Sequence, residues 1–374
     1  MPDYVTDRIV LSPDDIDLSR SPLRATLNAD TFVLGVFNPG MTRLGNGNIL
    51  LMVRVAEALS VPVKDGHIRA IRWQDGRYLL DSWSIDSVDT ADPREFLLRG
   101  QSWRVMGLTS LSWLLPVEMS PDGLDIVAIH YDRAIAPVAD SQCYGIEDAR
   151  ISRIDGHYWM TTCTVSPQRH GTTLYRSDDG LDWRCEGLVL DHQNKDMLLF
   201  EGLIDGKFWA QTRPLGHLYF AYPPDSEWRA GPSINLATSP DGLHWRPHEQ
   251  PGIRPHADTL ATARIGGGAP PILTDDGWLT LWHGVEPNES VGTYRTYWSM
   301  LDRDDPARVV RTDHAPLLEA SPALTAPLAD RLYVQDIVFT TGIVDAGDHY
   351  IVASGEADLA CRITHVPKDI FVTQ

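Results

Sequence analysis

A hairpin phrase that returns five times limits what this chain can fold into more than any other feature. Two apolar runs flank a tight polar turn at 41–54 around Gly45-Asn46-Gly47, at 151–163 around Asp155-Gly156, and at 202–212 around Asp205-Gly206. The phrase recurs at 271–283 around Asp276-Gly277 and at 341–354 around Ala346-Gly347. Asp-Gly between alternating apolar runs signals a β-hairpin, because both turn positions need a positive φ. A second phrase, Tyr175-Arg176-Ser177-Asp178-Asp179-Gly180-Leu181-Asp182-Trp183, recurs as Ala237-Thr238-Ser239-Pro240-Asp241-Gly242-Leu243-His244-Trp245. Each copy reads as a third strand, a turn and a Trp-bearing fourth strand. Four strands per unit and about 50–70 residues per unit predict an all-β chain, one five-bladed β-propeller domain over 1–374. A β-sandwich fits the repeated phrases less well. Residues 1–30 read as an irregular leader in which Ser12-Pro13-Asp14-Asp15 caps one helical turn.

Charge and composition then narrow the function. A net charge of −19 repels polyanions, so nucleic acid and acidic membranes are poor partners. Any anion that binds needs a local cationic pocket that outweighs this field. There is no apolar run of about 18 residues and no basic region ahead of an apolar one at the start, which predicts no membrane span, no signal peptide and a cytoplasmic location. The 4 cysteines are scattered without metal-ligand spacing and read as reduced thiols, with no metal and no other cofactor expected. A homo-oligomer is left open.

In such an architecture the first strand of each unit lines a central channel, so polar residues at unit starts are the candidate site. They are Asn38 and Arg54 in the first unit; Glu147, Asp148 and Arg150 in the second; Lys195, Glu201 and Arg213 in the third. The fourth offers Arg264, His283 and Gly266-Gly267-Gly268, whose bare backbone would admit a ligand closely, and the fifth offers Glu356 and Asp358. Glu147-Asp148-Ala149-Arg150 is the densest of these phrases. The plain alternatives are a surface ion pair between Glu147 and Arg150 and a satisfied core imidazole at His283. A carboxyl beside Glu147 is expected to hold its proton more tightly than usual, which suits a general acid at Asp148.

These phrases, taken in order, resemble glycoside hydrolase family 130, the β-mannoside phosphorylases and β-1,2-mannosidases. The resemblance runs from about residue 33 to the end of the chain. It rests on Phe37-Asn38-Pro39-Gly40, Val53-Arg54-Val55-Ala56-Glu57, Gly145-Ile146-Glu147-Asp148-Ala149-Arg150 and Asn194-Lys195-Asp196. It continues with Gly266-Gly267-Gly268-Ala269-Pro270-Pro271-Ile272, Trp282-His283-Gly284-Val285 and Ser354-Gly355-Glu356-Ala357-Asp358. The resemblance implies inverting phosphorolysis of β-mannosidic bonds in mannooligosaccharides, releasing mannose 1-phosphate. It implies Asp148 as general acid, acting through a sugar hydroxyl as relay. Asn38, Arg54 and Asp358, with Glu147, His283 and Glu356, would hold the mannosyl unit, and Arg150, Lys195 and Arg213 would hold inorganic phosphate. Three departures stand out: Ala149 where the family usually has Pro, Thr212 where phosphorylases commonly have a phosphate-touching His, and Glu201 where they commonly have Pro. The last two suit a β-1,2-mannosidase in which Glu201 is the base that activates water. A non-catalytic carbohydrate-binding propeller and a sugar-nucleotide mannosyltransferase are the remaining readings.

Overall fold

The computed structural model describes residues 4–372 except 191–192, 216–231, 255–263 and 289–290. Asp155 and Gly156 have φ of 50° and 80°, and Asp205 and Gly206 have 49° and 69°. These are the left-handed pairs that a two-residue hairpin turn requires. The hairpins build an all-β molecule from antiparallel sheets. The first sheet pairs Thr31–Arg43, Ile49–Leu59, Ser110–Met119 and Ile126–Ile129; the second pairs Ile146–Ile154, His157–Val165, His170–Ser177 and Arg184–Leu190. Asn194–Leu199, Phe208–Pro214, Ile234–Ser239 and Arg246–Ile253 make the third. The fourth has Arg264–Gly267, Gly277–Glu286, Thr293–Leu301 and Val309–Thr312, with Ile272–Thr274 also on Gly277–Glu286.

The fifth sheet departs from the leader expected at 1–30. It pairs Val338–Asp345, His349–Glu356 and Ala360–Pro367, and its outer strand is Thr6–Leu11. The buried Arg362 guanidinium fixes that strand, donating to both carboxylate oxygens of Asp7 at 2.7 Å. Further along the leader, the Ser21 hydroxyl donates to the buried Glu57 carboxylate, so this segment is tied to the first sheet as well.

Buried side chains join the sheets in neighbouring pairs. Leu50 and Met52 meet Ile146 and Ile151; Trp159 and Leu174 meet Met197 and Leu199; Ile234 and Leu236 meet Ile265 and Trp278. Leu279 and Trp298 meet Ile343 and Val352, and Ile351 and Ile363 meet Val36 and Leu51 of the first sheet. Each such side chain contributes roughly 1.5–3 kcal/mol by leaving water. The repeated Ser-x-Asp-Gly phrase forms one turn twice: Gly180 N donates to Ser177 Oγ at 2.8 Å, and Gly242 N to Ser239 Oγ at 2.9 Å. Each turn is wedged against the preceding sheet. A Cβ on Gly180 would lie 2.7 Å from Leu44, and one on Gly242 would lie 3.1 Å from Trp159.

Between the second and third strands of the first sheet the chain makes two small three-stranded sheets. One pairs Val63–Lys64, His67–Gln74 and Arg77–Ser84; the other pairs Val88–Asp89, Glu95–Leu98 and Met106–Leu108. Asp65-Gly66 and Asp75-Gly76 turn the first of them, again with positive φ at both positions.

Candidate active site

The inner strands of the first three sheets share one backbone device. Their pairing register slips between Phe37 and Gly40, between Glu147 and Arg150, and between Lys195 and Leu198. Within each slip one Asx residue takes left-handed φ: Asn38 at 49°, Asp148 at 49° and Asp196 at 52°. Asn and Asp tolerate this conformation better than other residues with a Cβ, and a bulge re-aims the side chain it carries. All three side chains turn toward one cavity of about 460 Å³, also lined by Arg54, Glu147, Lys195, Arg213 and Asp358. That volume lies within the range of small-ligand sites.

At its centre Arg54 bridges the two adjacent carboxylates. Nη1 is 3.0 Å from Asp148 Oδ1 and Nη2 is 3.0 Å from Glu147 Oε1, while Nε donates to Ser112 Oγ at 2.9 Å. Its guanidinium lies over the Phe37 ring, 4.8 Å from the centroid. Lys195 Nζ donates to the other Glu147 oxygen at 2.9 Å, and Asn38 Nδ2 donates to Asp148 Oδ1 at 2.9 Å. Asn38 Oδ1 is buried without a partner.

The electrostatics reverse the expectation for Asp148. Burial alone would raise its pKa, but Arg54, Arg150 and Lys195, with the Asn38 hydrogen bond, outweigh burial and hold it well below the usual carboxylate range. Glu147 is lowered for the same reason: Arg54 and Lys195 outweigh both burial and the repulsion from Asp148. The like-charge argument failed because Arg54 is shared by both carboxylates and Lys195 and Arg150 add further positive charge. Asp358 is the exception among the cavity's acids. Burial raises its pKa, and the more distant Arg94 and Arg54 do not reverse it.

Five sequence expectations change at this point. Arg150, 1% exposed, sits behind the wall rather than on it. Its Nε donates to the Gly268 carbonyl at 2.5 Å and its Nη1 to the Asp148 carbonyl at 2.8 Å. It thus braces the backbone under Asp148 instead of facing an anion. His283 is equally buried, 3.7 Å from Asp196, and burial pushes its pKa down to about 3, so it is a neutral core imidazole. Glu356 accepts from Arg362 Nη1 at 2.9 Å and from the Ser321 backbone, anchoring the fifth sheet away from the cavity.

Glu201 lies at the other end of the second sheet's inner strand, where its Oε1 accepts from Arg153 N at 3.4 Å. Five residues of strand separate Arg153 from Asp148, about 15 Å. A base and an acid that place water across a sugar stand only about 6.5–9.5 Å apart. Glu201 therefore cannot be the partner of Asp148. The Gly run also serves packing: a Cβ on Gly266 would lie 2.4 Å from Asp196 Oδ2, so that glycine makes room for a side chain, not a ligand.

Lys195 and Arg213 do line the cavity. Arg213 Nε lies 3.0 Å from Asp196 Oδ2, and Asp196 in turn lies 3.6 Å from Arg150. Two further groups join them there. Arg264 lies over Tyr294, 5.8 Å from the ring centroid, and His170 enters from the second sheet. Burial and the nearby Lys195 push the His170 pKa down to about 4, so its imidazole is neutral. Arg264 is where the start of the fourth unit offers it, whereas no local signal marks His170 as a cavity residue. Among the described residues no group of three or more His, Cys, Asp or Glu side chains is set to hold a metal ion.

Comparison with known proteins gives concordant results. A family model described as β-1,4-mannooligosaccharide phosphorylase matches residues 109–372. A β-1,2-mannobiose phosphorylase of Listeria innocua is 30% identical over 342 residues, 87% of each chain. A 1,2-β-oligomannan phosphorylase of Thermoanaerobacter is 31% identical over 257 residues, covering 67% of this chain and 78% of the relative. The solved structure of β-1,2-mannobiose phosphorylase from Listeria innocua with β-1,2-mannobiose superposes with a TM-score of 0.79 at 26% identity, over 98% of both chains.

Proposed function

The chain belongs to glycoside hydrolase family 130 and is an enzyme, and from that premise we propose that it cleaves β-1,2-mannosidic bonds of mannooligosaccharides by inverting phosphorolysis. The observation that carries this reading is the set of cations on the cavity wall beside Asp148: Lys195, Arg213 and Arg264. In a chain of net charge −19, such a cluster is the local field that a phosphate needs. The β-1,2 linkage follows the names of the relatives in Listeria innocua and Thermoanaerobacter. We also infer that the five sheets are the blades of one five-bladed propeller, supported by buried clusters that join each sheet to the next and the fifth to the first.

In the proposed reaction a phosphate oxygen, held against Lys195 and Arg213, attacks the anomeric carbon from the face opposite the leaving sugar. The C1–O bond breaks as the new C1–O–P bond forms, and the leaving oxygen takes the proton of Asp148, releasing mannose 1-phosphate. Asp148 is held ionised by the net field of the cations around it. An anion bound to those cations offsets their field and raises the proton affinity of Asp148. The co-substrate thereby arms the acid. Hydrolysis with Glu201 as base loses its support, since that side chain is at the far end of the strand.

The test is incubation of the purified protein with β-1,2-mannobiose, with and without phosphate. Phosphate-dependent mannose 1-phosphate is expected; free mannose released at the same rate without phosphate would refute phosphorolysis.

A further inference from the structure

Two arginines of the inserted sheets, Arg94 and Arg104, line the inner cavity, and Arg94 is the one beside Asp358. Arg94 lies just before the Glu95–Leu98 strand, outside the span 109–372 that the family model matches. Asp92 grips it with both oxygens: Arg94 Nε is 3.1 Å from Oδ1, Nη2 is 3.0 Å from Oδ2, and the Arg94 backbone N is 2.9 Å from Oδ1. Thr109, at the root of the insertion, donates its backbone N–H to the Arg94 carbonyl at 3.1 Å. This two-pronged grip fixes the guanidinium plane and uses two of its nitrogens.

The third nitrogen faces Asp358. Arg94 Nη1 lies 4.0 Å from Asp358 Oδ2, beyond hydrogen-bond reach, and both side chains line the cavity. Asp358 is itself held in place: its φ is 48°, and Tyr333 Oη donates to its carbonyl at 2.8 Å. A donor and an acceptor fixed about 4 Å apart leave a gap that one hydroxyl oxygen spans, accepting from the first and donating to the second. Phosphate does not suit the gap, because it would meet the Asp358 carboxylate.

We propose that Arg94 is a specificity-determining residue of the sugar subsite, bracketing one ring hydroxyl together with Asp358. This rests on the mannoside reading above but concerns sugar recognition alone. A sugar without that hydroxyl leaves a fixed, half-buried donor and acceptor unpaired, and sites that hydrogen-bond a hydroxyl discriminate more strongly than apolar ones. Asp92 is a positioning residue, since it acts through Arg94.

The experiment measures calorimetric binding and kcat/KM for β-1,2-mannobiose and its monodeoxy forms at the non-reducing ring, on wild type, Arg94→Ala, Arg94→Lys and Asp92→Asn. Arg94→Ala should bind the parent sugar about 10–150-fold more weakly, the worth of a charged hydrogen bond. For one deoxy sugar that loss should shrink to less than threefold, and Asp92→Asn should fall between. If Arg94→Ala proves unstable by thermal melting, Arg94→Lys, which keeps the charge but not the fork, is read instead and should show the same selective loss. Equal losses on the parent and every deoxy sugar would overturn the proposal. Because binding is read without phosphate, a protein that shows this pattern yet makes no mannose 1-phosphate refutes the phosphorolysis and leaves Arg94 standing.

Discussion

Replacing Glu201 by Gln separates two readings of one carboxylate. Burial raises its pKa from 4.5 to about 7, with hydrogen-bonding and charge from Arg153 opposing weakly. A carboxyl whose folded pKa is raised stabilises the fold fully below its unfolded pKa, and that contribution is lost as pH climbs through the folded value. For Glu201 the window runs from about pH 4.5 to 7. A shift of this size corresponds to roughly 2–3 kcal/mol once partial contact with water is allowed for. Gln carries no charge at any pH, so urea unfolding of wild type and Glu201→Gln should diverge with pH. The stability gained by the variant should be about 2–3 kcal/mol larger at pH 8 than at pH 5. Its phosphorolysis rate should stay within about threefold of wild type, since the side chain is about 15 Å from Asp148. A pH-independent difference would refute the burial argument. A stable variant with turnover cut a hundredfold would refute the placement and revive water as nucleophile.

Three further outcomes follow from the cavity. Lys195→Ala and Arg213→Ala should each raise the KM for phosphate about 10–150-fold, the worth of one charge-assisted hydrogen bond, with much smaller changes for the sugar in initial-rate kinetics. Asp148→Asn should lower kcat by about 10²–10⁴ and still fold, because Asn accepts the same left-handed backbone, with a melting temperature reduced by loss of the ion pair with Arg54. Sulfate, which does not titrate near neutrality, should bind to wild type with net proton uptake at pH 6, measured by calorimetry in buffers of different ionisation enthalpy. Asp148→Asn should abolish that uptake, and its persistence would assign the proton elsewhere.

The hairpins were legible because a left-handed turn is a local demand, and Asp155-Gly156 and Asp205-Gly206 announce it without knowing the rest of the fold. Asp65-Gly66 and Asp75-Gly76 carry the same signal. Nothing nearby says that they turn a separate small sheet, or that a second inserted sheet follows it and carries Arg94 to the cavity. The charged residues were legible as a group but not by side. A β-strand alternates its faces, and the bulge at Glu147–Arg150 breaks that count. Whether Arg150 faces the ligand or backs it therefore depends on a register slip that residue identity does not encode. Glu201 was different: six residues of extended chain from Lys195 already place it about 20 Å away. The Thr6–Leu11 strand gave no signal because its partner, Ala360–Pro367, lies at the opposite end of the sequence.

That pairing bears on the order in which the molecule assembles. Arg362 and Asp7 are separated by 355 positions, and joining the ends of a flexible chain of that length costs roughly 5 kcal/mol of entropy. Such a contact cannot form early and be rewarded; it forms once the intervening sheets have brought the two edges within reach. Until then Ala360–Pro367 has an unpaired edge, with Cys361 and Ile363, both fully buried in the finished fold, close to it. An unpaired edge of this kind is a template for another copy's strand. The Thr6–Leu11 strand is thus both the final piece of the barrier to unfolding and the segment best placed to exchange between two molecules folding side by side.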